Sequence, residues 1–152
     1  MLLSQRRSRF RHGHLLAILA IAGGCGRTAA PAATSPVEAR LELIAELLAG
    51  HIVASGRRPA GAAEFLDYID QHGRERMAAL GIAGTDELLT SPRDGRKFVI
   101  LYEGQQATIR GEIWAYEAEG RAGTRAVVDS LGRARFMPEE DFQRLLSMGP
   151  EY

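Results

Sequence analysis

The chain has 152 residues, with 19 basic and 19 acidic side chains and one cysteine. A single cysteine excludes an intramolecular disulfide and any metal site built from several cysteines. From Cys25 onward, 15 basic and 19 acidic residues give a net charge of −4, which disfavours nucleic acid as a partner, and the length suits one domain with one core.

The first 24 residues have the pattern of a secretory signal. Four arginines precede an apolar run from Leu15 to Ala22, and two glycines then lead to Cys25. As a helix, the run would span about 12 Å, whereas the apolar core of a bilayer is roughly 30 Å thick. We therefore expect residues 1–24 to be a signal peptide that is cleaved rather than a permanent membrane span.

The stretch Ala22-Gly23-Gly24-Cys25 resembles the cleavage box of bacterial lipoproteins. The resemblance implies that Cys25 is lipid-modified and that the lipid holds the mature protein to a membrane, on the periplasmic face of the cell envelope. Gly26 stands where an aspartate often retains lipoproteins in the inner membrane, which favours the outer membrane. Two alternatives stay open: an ordinary secretory cleavage nearby with Cys25 incidental, and a cytoplasmic protein whose start is misassigned.

Residues 25–34 are rich in alanine, include Pro31 and show no apolar periodicity, which indicates a flexible tether. Ser35-Pro36-Val37-Glu38 has the pattern of a capping box with proline at the first helical position. Apolar residues follow at spacings of three and four as far as Gly56, which is a typical helix stop. The pattern predicts a helix over 36–55.

Shorter patterns fill the rest of the chain. A second helix is predicted over 60–71, and further helical turns over 74–80 and 84–90. Proline and Asp-Gly at 91–95 then predict a turn, after which the apolar period becomes two. The strands and the last helix are predicted as follows: strands over 97–103, 113–117, 125–129 and 133–137, and a helix that opens at Pro138 and continues to Leu146.

This order predicts an α+β fold, in which residues 35–152 form a single domain. A long N-terminal helix and one or two short helices would pack on a three- to four-stranded antiparallel meander, followed by a short C-terminal helix. The strand over 97–103 is apolar on both faces, so we expect it to be central in the sheet.

Two stretches, 91–99 and 127–136, resemble turn and strand patterns of type II secretion pseudopilins. The resemblance covers about 36–146 and implies a helix packed on a small antiparallel sheet. The chain lacks the pilin cleavage site and its long apolar helix, so assembly into a fibre is not implied, and the residues after Asp129 lack the acids of the pseudopilin calcium loop. The chain is also similar to small lipoproteins of planctomycete type, which implies no activity.

No set of residues with catalytic, cofactor-binding or metal-binding spacing is evident, so no cofactor is predicted. His51 is interpreted as a helix-boundary residue, and His72 as a cation near a helix C-terminus. The serines fit caps and turns and none lies in a Gly-x-Ser-x-Gly motif. Paired carboxylates such as Asp67 with Asp70 and Glu117 with Glu119 are expected on solvated faces.

Trp114 and Tyr116 alternate along the second strand and are expected to share one face. Such a face either fills a core or binds a glycan or small ligand. The function predicted is a membrane-anchored envelope lipoprotein with a non-enzymatic protein-binding or structural role, its partner an unknown envelope protein. The alternatives are a ligand-binding module that uses Trp114 and Tyr116, and an envelope hydrolase if His51 or His72 meets a carboxylate in a cleft.

Overall fold

The structure is a computed structural model that describes residues 34–105 and 113–148. The predicted signal peptide, Cys25 and the tether up to residue 33 lie outside the described residues. Within the described ranges, no helix is long and apolar enough to cross a membrane.

The described residues form an α+β fold, as the sequence predicts. Four strands pair as an antiparallel meander in the order β1-β2-β3-β4. Along the chain, three short helices, rather than the predicted one or two, follow the first helix and precede the sheet. The elements are α1 Pro36–Ser55, α2 Ala62–His72, α3 Arg74–Ala79, α4 Thr85–Leu88, β1 Val99–Ile100, β2 Ile113–Tyr116, β3 Thr124–Asp129, β4 Ala134–Pro138 and α5 Glu139–Ser147.

The first of these helices, α1, begins and ends where its capping residues predict. Ser35 Oγ accepts from the backbone N–H of Glu38 at 3.4 Å, and the Glu38 carboxylate accepts from the backbone N–H of Ser35 at 3.1 Å. These reciprocal bonds satisfy two amides that have no intrahelical partner. Gly56 ends the helix with a φ of 77°, a conformation that glycine adopts without a Cβ penalty.

The sheet is covered on both faces, because alternate residues of each strand enter different apolar clusters. On one face, Ala126 and Val128 pack with α1 and α2; on the other, Val127 packs with α5. The larger cluster contains Leu41, Ile44, Leu48, Phe65 and Ile69, and the smaller one contains Leu101, Ile113, Val127, Met137 and Phe142.

The prediction that the first strand is central is wrong. Of the predicted strand over 97–103, Val99 and Ile100 form β1, which pairs with β2 and lies at the edge of the sheet, and Lys97 forms an isolated bridge with Thr90. The residues of β1 are apolar on both faces because each face is covered by a cluster, not because strands flank it on both sides. On the outer edge, the Phe98 N–H donates to Leu89 O at 2.9 Å, and the Tyr102 N–H donates to Gln105 Oε1 at 3.1 Å.

Two tight turns join the other strands. Between β2 and β3, Ala122 and Gly123 have φ values of 55° and 72°, and Arg121 and Thr124 exchange backbone hydrogen bonds. Between β3 and β4, Asp129 Oδ1 accepts from the backbone N–H groups of Leu131 and Arg133 at 2.9 and 3.0 Å. The turn between β2 and β3 is a two-residue hairpin turn, of the type whose twist matches that of the antiparallel strands it joins.

Candidate functional site

A fully buried carboxylate, Glu117, lies at the end of β2. Its Oε1 accepts from Ser91 Oγ at 2.7 Å, and its Oε2 accepts from Arg93 at 3.0 Å and from the backbone N–H of Ala126 at 2.8 Å. The expectation that Glu117 lies on a solvated face is therefore wrong. An arginine and two further donors compensate the buried charge. The bonds from Ser91 and Arg93 also hold the 91–95 turn against the sheet.

A second ion pair lies beside the first, where Arg125 of β3 meets Glu139 of α5. The guanidinium binds both carboxylate oxygens, at 2.9 and 2.8 Å, and it stacks on the Phe142 ring with 4.4 Å to the centroid. The Arg125 hydrogen bond is the main reason that the pKa of Glu139 lies below its usual value. Arg125 also donates to the carbonyl oxygens of Glu117 and Ala118, so the two pairs form one structural network.

His51, Ser55 and Glu64 meet at the C-terminal end of α1. His51 is buried, with Nδ1 at 3.1 Å from Ser55 Oγ and 3.2 Å from Arg57 O, and Nε2 at 3.2 Å from Glu64 Oε1. The Ala60 backbone N–H and then Arg57 lower the pKa of Glu64 to about 2. Neither the burial of His51 nor its carboxylate partner was predicted from its place at a helix boundary.

The Ser55 hydroxyl has three neighbours that could accept its proton, His51 Nδ1 at 3.1 Å and two backbone carbonyl oxygens. These oxygens, His51 O at 2.8 Å and Arg57 O at 2.9 Å, only accept. His51 Nδ1 also lies near the Arg57 oxygen, and Nε2 faces the Glu64 carboxylate. Through these contacts the cluster binds a carbonyl oxygen in the last turn of α1, His51 O, and holds the loop that follows the helix.

Both histidines contact Tyr68 on α2. The His51 and Tyr68 rings pack edge to face with centroids 5.2 Å apart, and the His72 ring lies 4.4 Å from Tyr68 on the other side. His72 is the last residue of α2, before Gly73, as the helix-end interpretation predicts. The two histidines are thus linked through one aromatic ring, and His51 also contacts a carboxylate, that of Glu64.

Trp114 and Tyr116 do not share a face, and that prediction is wrong. The register between β2 and β3 shifts between Ile113 and Ala115, so an extra residue, Trp114, is inserted at that point. The Trp114 ring packs against the α1 cluster, while Tyr116 packs against the α5 cluster. The Arg58 guanidinium lies 4.6 Å from the centroid of the Trp114 ring and covers it.

An apolar groove of about 490 Å³ runs over the outer face of α1, away from the sheet. Its floor is formed mainly by small side chains of α1, including Ala39, Ala45 and Ala49, and one wall is Leu80, just after α3. The remaining described lining residues are Thr34, Glu42, Leu43, Glu46, Arg76, Ala79 and Gly132. We refer to this feature as the α1 groove.

Exposed apolar side chains lie around the α1 groove. Leu80 is 47% exposed, and Leu131, next to Gly132 in the β3–β4 turn, is 73% exposed. Val53 lies one helical turn beyond Ala49 on the same side of α1 and is 88% exposed. Grouped exposed apolar residues at the rim of a groove are typical of a surface that binds another molecule.

One of the two carboxylates in the α1 groove has an ion-pair partner and the other has none among the described residues. Glu46 pairs with Arg76 at 2.9 Å, whereas Glu42 is half-buried and has no partner among the residues that the structure describes. Within residues 34–105 and 113–148, no group of His, Cys, Asp and Glu is arranged to hold a metal ion. Cys25, the predicted lipidation site, lies outside the described residues.

Comparisons with known proteins add no relative. No family model matches the chain, no curated protein matches it in sequence, and no solved structure matches its fold.

Proposed function

We propose that the protein is a lipid-anchored lipoprotein of the cell envelope with a non-enzymatic role, in which it binds a partner protein. The observation that carries this proposal is the α1 groove, with its small apolar floor and exposed Leu80 and Leu131 beside it. The anchor rests on the basic and apolar segment that ends at Cys25.

The character of the groove supports a protein partner over a small ligand. Small-molecule sites combine an apolar cavity with several converging polar groups that fix the ligand. The α1 groove is instead an elongated surface along a helix, in which alanines alternate with the side chains of Glu42, Glu46 and Arg76, and on which an amphipathic helix can lie. The alternative ligand site at Trp114 and Tyr116 is not supported, because the two rings lie on different clusters and Arg58 covers the indole.

We further propose that the domain is similar in architecture to the globular part of a pseudopilin. The 20-residue helix α1 packs across an antiparallel meander, and turns containing Asp94 and Asp129 precede strands. This order supports a scaffolding role in which the sheet holds α1 and presents its outer face to a partner.

The anchor is tested by the mass of the mature N-terminus. We expect the full chain, extracted from membranes of a diderm bacterium, to begin at Cys25 and to carry acyl chains, and we expect Cys25→Ser to move the protein to the soluble fraction. An unmodified Cys25 thiol, in protein that partitions into the aqueous phase of a detergent extraction, would contradict the proposal.

Partner binding is tested by photo-crosslinking in intact cells. A benzophenone amino acid at Leu80 in the α1 groove is compared with the same residue at Leu66, an exposed leucine of α2 that is not part of the groove lining. We expect a discrete protein adduct from position 80 and none of that mass from position 66. Equal labelling at both positions, or no adduct at position 80, would rule out the α1 groove as the binding surface.

A further inference from the structure

The helix α1 has more apolar surface than the sheet covers. The stripe of Val37, Leu41, Ile44 and Leu48 faces the core, yet further apolar residues continue round the helix to Ala49 and Val53. On the outer side these apolar residues stand beside the carboxylates of Glu42 and Glu46, so this side is amphipathic. The outer side of α1 is where the α1 groove lies, and the described residues leave it open.

The shape of the groove limits what can cover it. The small side chains of Ala39 and Ala49 allow the backbone of another element to approach α1 closely, while Leu80 stands at one side as a wall. A second helix that lies along α1 and presents leucine-sized side chains at spacings of three and four would fill such a groove.

The charge of the groove adds a second requirement. The Glu42 carboxylate is half-buried without a described partner, and the neighbouring Glu46 is already paired with Arg76. A further apolar surface placed over Glu42 would desolvate a charge with nothing to balance it, which is costly. A lysine or arginine opposite Glu42 removes that cost.

From these observations we propose that the occupant of the α1 groove is an amphipathic helix of another envelope protein, with a basic residue that pairs with Glu42. The inference rests on the proposed partner-binding function and names the chemistry of the partner. A second copy of this chain brings only Arg76 as a cation among the described residues of the same patch, and that arginine already pairs with Glu46, so a copy supplies no free cation of the described lining for Glu42.

The test uses the full chain with the photo-crosslinking residue at position 80 and adds a charge change at Glu42. We expect Glu42→Lys to reduce the yield of the adduct about tenfold or more, and Glu42→Gln to reduce it less, because the first brings like charges together and the second only removes the pairing. Glu75→Lys makes the same charge change on α3 outside the groove lining and is the matched control, which we expect to leave the yield unchanged.

Mass spectrometry of the adduct identifies what occupies the groove. A crosslinked peptide from a different protein, with apolar residues at helical spacing and a lysine or arginine among them, supports the inference. An adduct within one chain, an adduct between two copies, or a yield that does not change with Glu42→Lys overturns it. In that last case partner binding itself stands, whereas the absence of any adduct at position 80 also removes the proposed function.

Discussion

Glu117 carries a fully buried carboxylate that is bound by Ser91, Arg93 and the backbone N–H of Ala126. Removing the charge leaves the Arg93 guanidinium, which is 20% exposed, without its counter-ion. We expect Glu117→Gln to lower the free energy of unfolding by about 2–4 kcal/mol, measured by urea denaturation.

Glu119→Gln is the matched control, because Glu119 pairs with Arg96 on the surface and both side chains are 62% exposed. A surface pair contributes about 0–1 kcal/mol, so the control should stay close to the unmodified protein. Equal effects of the two substitutions would mean that the Glu117 network does not stabilise the fold.

Gly120 lies where a side chain would disturb the second ion pair. A Cβ at this position would be 2.5 Å from Glu139 Oε2 and 2.9 Å from the backbone oxygen of Thr124. We expect Gly120→Ala to displace Glu139 from Arg125 and to cost about 1–3 kcal/mol of unfolding free energy in chemical denaturation.

The control for Gly120 is Gly84→Ala. Gly84 has extended backbone with a φ of −177°, which any residue adopts, and a Cβ there would meet nothing within 4 Å. This substitution should be neutral or slightly stabilising, because it restricts the unfolded chain. A loss of stability as large as that of Gly120→Ala would contradict the steric explanation.

Single residues differ in how far the sequence predicts them. Ser35 and Asp94 act within a few residues of their own position, and the structure places both as their local patterns predict. Glu117 and His51 could not be predicted in this way, because their burial depends on partners 24 to 26 and 13 residues away, which only the fold brings together.

At the scale of elements, the β2–β3 hairpin contains a residue in an unfavourable conformation. Ala122 has a φ of 55°, and its side chain is exposed. Asparagine is favoured over alanine at this position of the turn, so we expect Ala122→Asn to raise the free energy of unfolding by about 0.5–1 kcal/mol. Thermal and urea unfolding measure the change.

The opposite substitution checks the reason. Ala122→Val introduces a β-branched side chain where φ is positive, and it should destabilise the protein. If Ala122→Asn and Ala122→Val change the stability in the same direction, backbone strain in the hairpin is not the cause.

The loop from α1 to α2 makes stability depend on acidic pH. Ionised Glu64 binds the Ala60 N–H and Arg57, which lower its pKa from 4.5 to about 2. Because the folded pKa lies below the unfolded one, this contribution is fully present above about pH 4.5 and is lost as the pH falls through about 2.

We expect Glu64→Gln to flatten the dependence of unfolding free energy on pH between 4.5 and 2, the window that the Glu64 shift defines. Urea denaturation at a series of pH values measures the two slopes. Glu75→Gln, on an exposed carboxylate whose contacts lie outside this loop, is the control and should keep the slope of the unmodified protein. Parallel curves for the unmodified protein and Glu64→Gln would show that this loop does not set the pH dependence.

Element types follow from the sequence more closely than element positions do. The capping box and Gly56 predict both ends of α1, and turn residues predict four strands in their observed order. The edge position of β1 and the extra residue at Trp114 were not predicted, because both depend on how strands align with one another rather than on the pattern within a strand.

At the scale of the whole molecule, two apolar clusters share one sheet. β3 supplies Val128 to the α1 side and Val127 to the α5 side, so each cluster is built on the same backbone. We expect Leu48→Ala on one side and Phe142→Ala on the other each to cost about 2–5 kcal/mol and to lower the midpoint of a single unfolding transition.

Far-ultraviolet circular dichroism and the fluorescence of Trp114 report on this cooperativity. The two signals should change together in both variants, because the indole packs on the α1 cluster while helices lie on both faces. If Phe142→Ala produces a separate early transition, α5 unfolds alone and the two clusters are independent.

The candidate groove could not be predicted as a site from the sequence, although part of its signal is present there. Apolar residues on several sides of α1 are visible in the sequence, but which side the sheet leaves open depends on packing. Leu80 and Gly132 join the groove from segments that are distant in the chain, and no local pattern connects them with α1.

The bound amides beside β1 affect how this protein behaves when many copies are concentrated together. An open-ended stack of sheets needs two available sides per molecule, so that each copy can both receive a strand and offer one. The amides of Phe98 and Tyr102 are already engaged on the β1 side, and the strand between them has only two residues. Repeated strand addition through the β1 side of this sheet is therefore disfavoured when the protein is concentrated, and association through the sheet is left to the β4 edge.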